Sequence, residues 1–82
     1  MILYDHWGHM VSTESLEELH EFARTIDLDR RLYHANGRGE YHAHYDLLND
    51  HLKERARMSR AVKVRARELV ERAWWRKSAH SC

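Results

Sequence analysis

Two clusters of histidine and aspartate, Asp5-His6-x-x-His9 near the start and His42-x-His44-Tyr45-Asp46 in the middle, carry the chemistry of this 82-residue chain, which holds eight histidines. Imidazole and carboxylate are the side chains that bind divalent metals, move protons and grip phosphate. In an extended segment alternate side chains share a face, so His42, His44 and Asp46 point one way and Tyr41, Ala43 and Tyr45 the other. Two imidazoles at i, i+2 converge on one ion, and a carboxylate completes or orients the set. The metal-ligand set to test is therefore His9, His42, His44 and Asp46, with a divalent metal as the cofactor they would take. Asp46 has a second reading, as the cap of a helix that follows it. His6 and His9 flank Trp7-Gly8 in a turn after the first apolar run, which brings Asp5 and His9 to a strand end, where α/β proteins often place ligands. His20 lies on the edge of a helix's apolar stripe. It is either a hydrogen-bonded residue at the core margin or a side chain turned over the sheet towards the other histidines. His6, His51 and His80 read as surface residues.

The elements that must position these groups follow from apolar spacing. Ile2-Leu3-Tyr4 is a short buried strand, which Met10-Val11 continues or pairs with. Ser15-x-x-Glu18 matches a capping box, and Leu16, Leu19, Phe22, Ala23 and Ile26 form one face of the helix it opens. Glu14, Glu17 and Glu18 sit in its first turns, where the helix dipole favours negative charge. Arg31 to Ala35 and Glu40 to Tyr45 read as extended segments around Asn36-Gly37-Arg38-Gly39, a hairpin signal. A second helix begins at Asp46 or Asn49 and runs to about Met58, Ala61-Val62-Lys63-Val64 is a further strand, and a last helix covers roughly residues 66–77. The predicted order is β-α-β-β-α-β-α: an α+β fold with a small mixed sheet of three to four short strands and about three helices packed on it. Residues 1–77 form one domain, and residues 78–82 a flexible C-terminal tail.

Composition bounds the partners. A domain this small buries only about 60–65% of its unfolded surface, so a homo-oligomer or another protein partner is expected to support it. There is no apolar run near the roughly 18 residues a membrane helix needs and no signal-peptide pattern, and Cys82 is the only cysteine. The chain therefore reads as cytoplasmic, with no membrane contact. Net charge is only +1, yet residues 1–52 hold four basic side chains against ten acidic ones, while residues 53–82 hold ten against three. Such a separation calls for self-complementarity, within the fold or across a dimer, or for phosphates. In the last helix Arg65, Arg72 and Arg76 line up at i, i+7, i+11, with Trp75 opposite the buried stripe that takes Trp74. That row is the candidate contact for a protein partner or for nucleic acid.

Tyr4-Asp5, Trp7-Gly8-His9-Met10-Val11-Ser12 and Ser15-Leu16-Glu17-Glu18-Leu19-His20-Glu21-Phe22-Ala23 together resemble the domain-of-unknown-function family 4031, small proteins of bacteria, notably actinobacteria, and of their phages. The resemblance continues through Ile26-Asp27-Leu28, His44-Tyr45-Asp46, Arg55-Ala56 and Ala61-Val62-x-Val64, then Arg67-Glu68-Leu69-Val70. It implies that Asp5, His9, His20, His44 and Asp46 form one polar set. Family members often carry a second Asp after the first strand and a longer loop before the Trp; here Asp5 stands alone and the loop shrinks to His6. Where the family commonly has Gly-Ala before the last strand, this chain has Ser59-Arg60-Ala61.

Three functions fit the residues. One is a binding or regulatory module whose His/Asp pocket takes a phosphate-bearing ligand or a protein partner. Another is a metal-dependent hydrolase, phosphodiesterase or nuclease-like, built on the same cluster. The third is a structural host-interaction protein with no small-molecule site. There is no recognisable nucleophile motif or Gly-rich phosphate loop.

Overall fold

The structure, a computed structural model, describes residues 1–35 and 42–79. Its elements are β1 (Ile2–Tyr4), β2 (His9–Ser12), α1 (Leu16–Thr25), a 3₁₀ turn (Arg30–Leu32), β3 (Tyr33–His34), β4 (His44–Asp46), α2 (Asp50–Met58), β5 (Val62–Lys63), α3 (Ala66–Arg72) and α4 (Trp74–Ala79). The five strands form one mixed sheet in the order β3-β4-β2-β1-β5, with only the β1–β5 pair parallel. This is the α+β class the sequence predicts, with one more strand than expected. His9 to Ser12 makes a full strand against β1, with Leu3 opposite Val11. The hairpin signal at Asn36-Gly37-Arg38-Gly39 lies outside the described residues. Among those described, no helix is long and apolar enough to cross a membrane.

Strand alternation divides the interior into two cores. On one face Ile2, Tyr4, Met10, Tyr45 and Leu47 pack with Leu19 and Ala23 of α1, with Ile26 at its C-cap and with Ala56 of α2. On the other, Leu3 and Val11 pack with Ala43, Leu69, Ala73 and Trp75. β1 is buried on both sides, so its run of three apolar residues needs no polar alternation.

Helix α1 begins where Ser15 Oγ accepts the Glu18 N–H at 3.0 Å, one half of the expected capping box. The other half is redirected. The Ser15 N–H donates to Ser12 Oγ, while the Glu18 carboxylate takes the Ser12 hydroxyl and the α-amino group of Met1. Helix α2 is capped by Asn49, whose Oδ1 accepts the Leu52 N–H at 2.9 Å, and this leaves Asp46 in the sheet. The Arg55 guanidinium donates to the Ile26 carbonyl at the end of α1 and ties the two helices together.

The predicted single helix over 66–77 is corrected. Ala73 adopts extended backbone (φ −64°, ψ 148°) and splits the segment into α3 and α4. The break resets the angular phase, so Trp75, expected on the outside, turns inward and is 5% exposed, against Leu3, Val11 and Leu69. It also ends the premise of one basic row on a single helix: Arg65 stands just before α3 with no side-chain cap bond, Arg72 pairs with Glu68 at 3.0 Å, and Arg76 is exposed on α4.

Partial burial pushes the Glu18 carboxyl upward, but hydrogen bonds from the α-amino group of Met1 and from Ser12 outweigh it, so the group titrates below its ordinary 4.5. A carboxyl depressed in the folded state stabilises the protein above its unfolded value, and that contribution is lost as pH falls through the folded one. Stability should therefore decline from about pH 4.5 downward, and Glu18→Gln should flatten that part of the curve. Urea unfolding midpoints across acid pH measure it; an unchanged slope in the variant would contradict the assignment.

Candidate metal centre on one face of the sheet

The site grows out of the β1–β2 turn. Asp5 N–H donates to the His9 carbonyl at 3.1 Å and Gly8 N–H to the Asp5 carbonyl at 3.0 Å, closing a tight turn with Gly8 at φ +90°. The Gly8 carbonyl in turn accepts the Leu47 N–H at 2.7 Å, which pins the turn to the chain just beyond β4. Asp5 is 1% exposed and spends both carboxylate oxygens on His9: Oδ1 accepts the His9 backbone N–H at 2.9 Å, and Oδ2 lies 3.0 Å from His9 Nδ1.

Sheet register then assembles the cluster. His9 stands opposite Asp46 across β2–β4, and His34 opposite His44 across β3–β4. One nitrogen from each of His9 and His44 and one oxygen of Asp46 lie within 4.8 Å of one another. The His9 and His44 rings meet edge to face at 5.2 Å, and His34 stacks on His44 at 5.7 Å. His44 Nδ1 lies 2.7 Å from the His42 carbonyl, while its Nε2 lies 3.2 Å from Asp46 Oδ1. His34 Nε2 contacts the other oxygen, Asp46 Oδ2, at 3.0 Å.

These contacts fix the ring chemistry. A carbonyl and a carboxylate only accept, so Nδ1 of His44 and Nδ1 of His9 each carry the hydrogen. In the neutral rings Nε2 is then a bare lone pair, and in His44 it faces a carboxylate oxygen. Two facing lone pairs are unfavourable unless a cation, either a proton on the imidazole or a metal ion, lies between them. Each of the three groups also has its remaining atom held: His9 by Asp5, His44 by the His42 carbonyl, Asp46 by His34. Outer partners of this kind orient ligands in metal sites.

Next to the imidazoles lies a cleft of about 230 Å³ lined by Asp5, His9, His42 and His44 together with Val11, Ala66, Leu69, Val70 and Trp75. His42 has φ +63°, so the strand alternation expected from Tyr41 to Asp46 holds only from His44 onward. The ring of His42 stacks on Trp75 at 4.6 Å, and its carbonyl rather than its imidazole serves His44. Among the described residues it is not in the ligating group.

Of the five residues read as one polar set, the structure brings together Asp5, His9, His44 and Asp46. His20 is placed elsewhere. Helix α1 covers the Tyr4, Met10 and Tyr45 face, and Tyr45 alternates with His44 and Asp46, so His20 meets the opposite side of β4. There His20 Nδ1 lies 2.7 Å from the Tyr45 hydroxyl, and Arg30 donates to His20 Nε2 at 3.3 Å. Burial raises the Tyr45 phenol above its ordinary value, with Arg30 opposing, so the hydroxyl keeps its proton. A cleft of about 470 Å³ on this side is lined by Glu17, His20, Glu21, Arg24, Leu28, Arg30 and Tyr45. Nothing in the sequence singles out His34; the β3–β4 register sets it opposite His44.

Fold and cluster together define a small α+β protein with a histidine–aspartate centre on one face of a mixed sheet. Residues 3–76 match the family described as "Protein of unknown function (DUF4031)", and the chain belongs to that family. No curated protein and no solved structure matches it significantly.

Gly8 is the position on which the centre leans most. A Cβ there would lie 2.4 Å from the Leu47 carbonyl oxygen, on a backbone conformation L-residues avoid. Gly8→Ala should cost about 2–3 kcal/mol of stability, from positive-φ strain plus the displaced contact. Chemical denaturation measures it, and a change below about 0.5 kcal/mol, the range of an unconstrained surface site, would show that the turn is not constrained as described.

Proposed function

We propose that this protein is a metal-centred binding module, in which His9, His44 and Asp46 hold one divalent transition-metal ion of the zinc class. The observation that carries the reading is the tautomer argument. Both imidazoles have Nδ1 committed to an acceptor, which leaves Nε2 of each as the bare atom. That of His44 lies 3.2 Å from an oxygen of Asp46, whose second oxygen is occupied by His34. His9, His44 and Asp46 each bring one ligand atom within 4.8 Å of the others. Two imidazoles and one carboxylate suit zinc and its neighbours, and three protein ligands leave a position for an exogenous group. His9 and His44 also line the cleft, so an ion they hold borders it.

A hydrolase would use the same ion to lower the pKa of a bound water. It would also need a base within reach of that water. Among the described residues lining the cleft, Asp5 is the one carboxylate, and both of its oxygens are spent on His9, so the base would have to be His42, whose ring is stacked on Trp75. The binding reading asks for no such base.

Isothermal titration of the metal-stripped protein with zinc should give one site of micromolar or better affinity. At 100 times the Kd, zinc should raise stability by about 2.7 kcal/mol. His44→Ala should abolish the binding, whereas His20→Ala, on the far side of the sheet, should leave it intact. Equal loss in both variants, or no uptake of zinc, manganese or cobalt by the intact chain, would overturn the proposal.

A further inference from the structure

We infer that the ligand of this centre is a small amphipathic molecule, with a neutral or singly charged oxygen head that completes the metal shell and an unbranched or flat apolar body lying along α3. The inference rests on the metal-binding reading above and adds the class of ligand. Its basis is the mixed lining of the cleft, which sets Asp5, His9 and His44 in one wall with Val11, with Ala66, Leu69 and Val70 of α3, and with the His42–Trp75 stack.

Size limits the ligand. A cleft of about 230 Å³ has room for a body of modest length but not for a folded partner or a nucleotide polymer, since drug-sized sites begin near 300 Å³. Charge limits the head. A divalent ion with neutral imidazoles from His9 and His44 is partly neutralised by Asp46, and Asp5 lies just behind His9, so little positive charge remains for a dianion. Among the described residues lining the cleft there is no Arg or Lys to support a phosphomonoester. A carboxylate, a hydroxamate or a carbonyl meets these limits; a phosphate does not. The apolar wall decides the rest. Leu69 is buried, whereas Val70 is 40% exposed at the rim, where a ligand's body would cover it.

The zinc-loaded protein, titrated with acetohydroxamate and with hexanohydroxamate, tests this directly. The heads are identical, and the longer probe adds four methylenes, each worth about fourfold in affinity when fully buried. Hexanohydroxamate should therefore bind at least tenfold more tightly. Val70→Asn, close in volume and uncharged, should remove most of that gain while leaving zinc uptake and acetohydroxamate affinity unchanged. Because Val70 is exposed, this variant should remain folded, which its thermal unfolding checks. Equal affinity for the two probes in a protein that has taken up zinc would overturn the ligand class and leave the metal reading standing. Tighter binding of phenyl phosphate than of phenylacetate would overturn the charge argument. Failure to take up zinc at all would overturn both readings together.

Discussion

The register between β2 and β4 is the constraint on which the rest of this molecule depends. It sets His9 opposite Asp46 and Met10 opposite Tyr45, and the Leu47 N–H to Gly8 carbonyl bond fixes it from the turn side. A slip of one residue would turn His44 and Asp46 into the core beneath α1 and carry Tyr45 out to the cleft. The core beneath α1 and the polar centre are therefore specified together: burying Tyr45 with Met10 and Leu19 is what presents His44 and Asp46 on the other face.

Electrostatics on the polar face admits two states of the cluster. Either His44 is an imidazolium paired with Asp46, or both imidazoles are neutral and a metal ion takes the place of the proton. Outer hydrogen bonds distinguish these in their consequences. Asp5 is almost wholly buried and engages His9 through two atoms, so the ring is oriented whether or not a cation is present. A site whose ligands are already held loses less side-chain freedom on binding. His34 plays the same part for Asp46, leaving one oxygen of the carboxylate directed at the imidazoles.

Much of this architecture was legible in the sequence because local signals and burial agree. β1 reads as a continuous apolar run and is buried on both faces, and α1 reads from its Ser15 cap and its stripe. The family resemblance, more than residue type, groups Asp5, His9, His44 and Asp46, and it adds His20 to them. The failures have physical causes. Residues 66–77 contain no Gly or Pro, so nothing local announces the extended Ala73; the packing of Trp75 against Leu3 and Leu69 accompanies the break. His20 sits at the margin of its stripe, where helix phase leaves two directions open, and the alternation of Tyr45 on the neighbouring strand decides between them. His34 was invisible because it joins the cluster only through strand register, which follows from a turn rather than from residue type. His42 shows the converse: its spacing to His44 suggested a ligand, but positive φ turns its carbonyl to the task instead.

X-ray absorption at the metal edge of the zinc-loaded protein addresses the central claim most directly, since it counts and identifies the atoms bound to the ion. The expected shell holds two imidazole nitrogens at about 2.0–2.1 Å, one carboxylate oxygen and one exchangeable oxygen. A shell with a sulfur scatterer at about 2.3 Å, placing the ion on Cys82, or one without imidazole scattering, would contradict the assignment of the centre to His9, His44 and Asp46.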